Sequence, residues 1–115
     1  MSSTINEVYQ LGNNDQAVTL EVTVGFAQPA ESTVTLNGNR VNGTFSNTFS
    51  TELGTNNELN TKELVVTTIV QAINQGNTSI TIKLSGGVGP QEWTMTQNVD
   101  EGSSATYRAT IGLFS

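Results

Sequence analysis

The chain has 115 residues, 35% hydrophobic and 12% charged, with ten acids against four bases and a formal net charge of -6. That length implies one domain, and it buries roughly two-thirds of the unfolded surface, enough for a core without staples. Cysteine and histidine are both absent, which excludes disulfides, thiol nucleophiles, Cys-based zinc sites and every serine–histidine or cysteine–histidine mechanism.

Residues 5–11 alternate weakly, with Ile5, Tyr9 and Leu11 in phase, and form a first, edge-like strand. Gly12-Asn13-Asn14-Asp15 is a turn, since Gly and Asn tolerate positive φ and Asp closes Asx-turns. Residues 17–26 then alternate without a slip. Val18, Leu20, Val22, Val24 and Phe26 point to a dry side, and Thr19, Glu21 and Thr23 to a wet one. Gln28-Pro29-Ala30 ends that strand, because proline cannot donate to a ladder.

Residues 32–36 alternate again with Val34 and Leu36 inward, and Asn37-Gly38-Asn39 is the strongest hairpin signal in the chain. The return strand spans 40–45, interrupted by Asn42-Gly43 where a bulge is expected. Thr44-Phe45-Ser46-Asn47 is nearly repeated by Thr48-Phe49-Ser50-Thr51, a spacing that puts Phe45 and Phe49 on one face of a strand. Residues 54–60 read as a polar loop.

Residues 61–75 carry two signals. Val65-Val66-Thr67-Thr68-Ile69-Val70 is an unbroken β-branched run, which favours a strand. On a helical wheel Val65, Val66, Ile69, Val70, Ala72 and Ile73 share a face, with Asn60 and Glu63 as a capping pair and Gly76 as a C-cap. Propensity places a strand here, with a helix as the alternative. Residues 78–85 form a strand with Ile80, Ile82 and Leu84 inward, and Gly86-Gly87-Val88-Gly89-Pro90 follows as a hairpin connection. Residues 92–99 carry Trp93 and Met95 in phase, Asp100-Glu101-Gly102 turns the chain, and 104–114 place Ala105, Tyr107, Ala109, Ile111 and Leu113 on one face. Trp93 and Tyr107 are expected to approach each other across this last hairpin. Short strands with turn signals between them indicate an all-β fold: a small antiparallel β-sandwich, immunoglobulin-like or jelly-roll-like, of about seven to nine strands.

The chemistry-bearing residues are sparse. Glu92 with Asp100 and Glu101, and Glu52 with Glu58, are the carboxylate groups from which a hydrolase would draw its two acids, and they read equally as solvated turn and edge residues. Asn98-Val99-Asp100-Glu101-Gly102-Ser103 has oxygen ligands and a turn glycine but lacks the alternating acid series of a calcium loop. The glycine loop at 86–90 has no following Lys-Ser/Thr and gives no phosphate cradle. Trp93, Tyr107 and Tyr9, among many Asn, Gln and Thr residues, are the candidate ligand-binding set, as a platform for sugar rings. Each also lies in phase with apolar neighbours. Asn42-Gly43-Thr44 and Asn77-Thr78-Ser79 match glycosylation sequons, triplets that arise by chance in such a chain.

The four cations, Arg40, Lys62, Lys83 and Arg108, are scattered and make no stripe for nucleic acid. No apolar run approaches the roughly 20 residues that cross a bilayer, and no charged segment followed by an apolar one marks a secretory leader. The expectation is a soluble, non-catalytic protein without cofactor or metal that works by presenting a surface to a protein partner or to copies of itself. The Thr-, Asn-, Ser- and Gly-rich palette suits an accessory component or small passenger of a bacterial secretion, contractile-injection or phage-like particle. A carbohydrate-binding module built on Trp93 is the alternative, and a carboxylate-dependent hydrolase the second.

Overall fold

Two-residue periodicity becomes two layers. The computed structural model describes residues 2–115. In chain order the elements are β1 (Ser2–Gln10), β2 (Ala17–Val24), β3 (Ala30–Leu36), β4 (Asn39–Ser46), β5 (Phe49–Thr55), α1 (Asn56–Leu59), β6 (Glu63–Gln71), β7 (Asn77–Ser85), β8 (Gln91–Asn98) and β9 (Ser104–Phe114). One sheet has the order β1-β9-β6-β3-β4, the other β5-β2-β7-β8. The result is a β-sandwich.

Ladder pairing is antiparallel everywhere except between β1 and β9, which run parallel from Ser2 on Thr106 to Gln10 on Phe114. Successive strands reverse direction along the chain, so the first and ninth point the same way and meet as a parallel pair.

The expected inward rows fill the core. Val18, Leu20 and Val22 of β2, Ile80, Ile82 and Leu84 of β7, and all five apolar residues of the β9 row are fully enclosed. Asn37 and Gly38 both have positive φ, 48° and 83°, so the two-residue loop between β3 and β4 has primed-turn geometry. The β4 bulge lies where Asn42-Gly43 predicted it, with Asn42 at φ 59°.

Three local readings are corrected, and the choice at residues 61–75 falls to the strand. Residues 61–75 hold no helix: β6 buries Leu64, Val66, Thr68 and Val70 in strict alternation, because β3 and β9 flank it on both sides and satisfy its backbone. The one helix, α1, falls instead in the segment read as a loop. Its capping box joins Thr55 to Glu58: the Glu58 amide donates to the Thr55 hydroxyl and the Glu58 carboxylate accepts from the Thr55 amide at 2.9 Å. That backbone bond to Thr55 holds the Glu58 carboxyl below the usual glutamate range. Phe26 does not continue the β2 row; the strand stops at Val24 and Phe26 stands 47% exposed. Phe45 and Phe49 lie on different strands of different sheets, separated by Asn47 at φ 57°, and stack with centroids 4.2 Å apart.

Tyr107 does not meet Trp93. Its hydroxyl lies 2.6 Å from Thr78 Oγ1, which itself donates to the Gln97 carbonyl at 2.9 Å, so the phenol is the donor to Thr78. Gln97 sits four residues along β8 from Trp93, about 13 Å of strand. Burial pushes the Tyr107 phenol above the ordinary tyrosine range, hydrogen bonding with Thr78 and with the Gln97 backbone opposing it. An unfolded chain then releases this proton first, so stability is full below about pH 10 and falls as pH rises through the folded value. In Tyr107→Phe that alkaline loss is expected to flatten, read as the urea midpoint between about pH 8 and 11.5.

Candidate functional site

Because each strand crosses the sandwich, the connections gather at two ends. One end carries residues 11–16, the Asn37-Gly38 turn, α1 with residues 60–62, and the 86–90 loop. The other carries residues 25–29, the Asn47-Thr48 turn, residues 72–76 and residues 99–103.

The first end is braced by side chains, beside a cavity of about 250 Å³ lined by Tyr9, Gln10, Val88, Gly89, Pro90 and Gln91. Asn56, fully enclosed, accepts from the Gly12 amide at 2.8 Å and donates to the Asn14 side chain at 2.7 Å and the Gly86 carbonyl at 2.9 Å. Tyr9 donates to the Gly89 carbonyl at 2.6 Å and accepts from the Gly87 amide at 2.9 Å. A Cβ at Gly87 would meet the Tyr9 ring and the Gln10 carbonyl, which explains the glycine there. The Val88 amide bonds the Gln10 carbonyl. The glycine loop thus spends its Gly87 and Val88 amides on the protein itself.

The second end is open, and it is the candidate site. A cavity of about 510 Å³ is lined by Val24, Ala27, Gln28, Pro29, Asn47, Thr48 and Ile73. A second, of about 260 Å³, shares Pro29 and adds Ala30, Glu31, Ile69 and Gln71. Three of the six large apolar residues that stand exposed among those described belong to this region: Phe26, Ile69 at 41% and Ile73 at 58%. Phe26 and Ala27 are consecutive non-glycine residues in the left-handed region, at φ 57° and 51°. Such a backbone costs roughly 1–2 kcal/mol per residue and persists only where its surroundings over-determine it.

The restraint is Gln28, 4% exposed. Its Nε2 donates to the carbonyls of Gln75 at 2.8 Å and Asn77 at 3.0 Å, and its Oε1 accepts from the amides of Ile73 and Asn74, each at 3.1 Å. Asn74 returns a bond to the Ala27 carbonyl at 2.9 Å. The larger cavity has no titratable residue in its lining. It offers apolar surface and neutral hydrogen-bonding groups in about equal measure.

Of the residues named from sequence, Tyr9 and Tyr107 are 1% and 0% exposed and present no ring face to solvent. Trp93 is half-buried on the edge strand β8 opposite Ile82. The trio is not assembled. Glu92 lies opposite Lys83 at the start of β8, while Asp100 and Glu101 turn the chain beyond its other end. Glu52 pairs with Thr19 on β2, and Glu58 serves the capping box. The 99–103 turn borders a cavity of about 330 Å³ lined by Asn98, Val99, Asp100, Ser103 and Ser104, with Asp100 its one carboxylate. Among the described residues no group of three His, Cys, Asp or Glu side chains is placed to hold a metal ion, and no helix is long and apolar enough to cross a membrane. Phe26, Gln28, Ile69 and Ile73 were not singled out as site residues by the sequence; the break at Gln28-Pro29 was the only local signal of that end.

Comparisons with protein-family models, with curated proteins and with solved structures return no match.

Proposed function

We propose that this chain is a non-catalytic β-sandwich that docks a protein partner at the end built by Phe26, Gln28, Pro29, Ile69 and Ile73, as an accessory component or passenger of a larger bacterial assembly. One observation carries the reading: the exposed apolar side chains Phe26, Ile69 and Ile73 stand at a loop end whose strained backbone is clamped into place and whose larger concavity, lined by Ile73, holds no charged residue. Exposed apolar groups collected in one patch mark interaction surfaces, whereas singly scattered ones do not. The absence of histidine and cysteine supports a role without nucleophilic or general-base chemistry.

The test is a pair of charge insertions, Phe26→Asp and Ile73→Asp, in the tagged chain expressed in its source cells. Both positions are exposed, and aspartate tolerates the left-handed region better than phenylalanine, so folding is retained. Each buried apolar side chain contributes about 1.5–3 kcal/mol, so the double variant is expected to lose at least about a hundredfold in partner affinity. On native size-exclusion the wild type migrates with its assembly and the double variant as a free chain of 12.2 kDa. Val88→Asp, at the opposite end, leaves migration unchanged. A wild-type chain that runs free in its own cell extract overturns the proposal, as does a double variant that stays assembled.

A further inference from the structure

We infer that β1 is an exchangeable strand: residues 2–8 of one copy can be replaced, on the edge of β9, by the same residues of a second copy. The β1–β9 edge lies apart from the docking end, and exchange there does not depend on docking.

The pairing that β1 makes is unlike the others. It is the sole parallel ladder among the described strands, and it joins residues as far apart in sequence as Ser2 and Thr106. Parallel pairs are slightly weaker per residue than antiparallel ones, and contacts so distant along the chain form late. A β9 edge that waits for β1 accepts the β1 of a neighbouring chain equally well, because the two are chemically identical.

Little burial ties residues 2–8 to their own copy. None of them is buried, and Ser3 and Ile5 alone are half-buried. Beyond the β9 ladder and the partial packing of Ile5 on the core, the strand is fastened from Tyr9 onward, by the Tyr9 hydroxyl bonds, by the Leu11 amide on the Phe114 carbonyl at 2.7 Å and by the Gly12 amide on Asn56. β4, another edge strand without a buried residue, is held instead by tight turns on both sides. Tyr9 is therefore a pivot with a loosely held arm before it.

The occupant is argued by what the arm carries. Glu7 lies on the same face as Ile5 and Tyr9 but stands exposed, and a charge on an edge strand opposes addition of a further strand beside it. Exchange leaves Glu7 in the surroundings it already has, whereas β1-to-β1 edge pairing crowds it against a second copy. The register on β9 is set by β1 itself, with Asn6 on Thr110 and Val8 on Gly112, so the segment that fits is a second β1.

Natural absence of cysteine makes the test clean. Two single variants, Asn6→Cys and Thr110→Cys, are unfolded, refolded together at high concentration and oxidised. Exchange places Asn6 of one copy on Thr110 of the other, so the mixed disulfide, at twice the 12.2 kDa of one chain, is expected as the major cross-linked species. Edge pairing instead lets Asn6→Cys cross-link to itself, and that result overturns the proposal. So does a failure of either variant to cross-link while both remain monomeric. In the double variant on one chain, oxidation before concentrating is expected to abolish the dimer and reduction to restore it; a dimer indifferent to the lock also overturns the inference.

Discussion

Asn56→Leu is expected to lower the unfolding free energy by about 3 kcal/mol, because it strips partners from two half-buried backbone groups at once. The asparagine is fully buried, so leucine fills similar volume and no water replaces the amide. The Gly12 amide loses its acceptor and the Gly86 carbonyl loses its donor. Each such orphan costs roughly 1–3 kcal/mol, against a total stability of about 5–15 kcal/mol for a domain of this kind. The midpoint of thermal unfolding should fall by on the order of 10–15 °C. Urea titration with an unchanged slope checks that the loss is stability and not a looser native state. A variant within about 0.5 kcal/mol of wild type would mean that the 12–16 and 86–90 loops are not held by this side chain.

Why this residue carried no signal in the sequence is instructive. Asn56 sits in a run of polar residues that reads as solvated loop, and its partners lie 30 to 44 residues away. Side-chain alternation exposes which face of a strand is dry, and it did so for β2, β7 and β9 because both flanking strands enforce the pleat. It says nothing about an amide that bridges loops across the end of a sandwich. The one-turn helix was legible in principle: Thr55 and Glu58 have capping-box spacing, and Asn60 with Glu63 competed for the same reading. For residues 61–75 the β-branched run was the better guide than the helical wheel. Period-two burial encloses Thr68, which a wheel assigns to water, where its hydroxyl meets that of Ser32 at 2.7 Å. Phe26 failed for a different reason, since a perfect alternation ran past the point where Gly25 and a pair of left-handed residues turn the chain away. The aromatic trio illustrates the same limit. Tyr9 and Tyr107 follow the apolar phase of their strands and are core residues with satisfied hydroxyls, not surface ones.

Gln28→Leu at the opposite end is the matching experiment, and it separates stability from docking. The substitution leaves the amides of Ile73 and Asn74 and the carbonyls of Gln75 and Asn77 without their partner. These groups lie nearer solvent than those around Asn56, so water recovers part of the loss and about 3 kcal/mol of destabilisation is again expected. The further consequence is local. Gln28 is the clamp that keeps Phe26 and Ala27 at positive φ, and without it the strained pair relaxes toward ordinary backbone. Phe26 then changes its place at the loop end, and the concavity lined by Ala27, Gln28 and Ile73 changes shape. At a temperature where both variants remain folded, Asn56→Leu should keep its partner and migrate with the assembly. Gln28→Leu, equally destabilised, should run as the free chain. Equal docking by the two would show that the loop end is not the partner surface, whatever their stabilities, because a general weakening of the fold acts on both alike and only one of them reshapes the site.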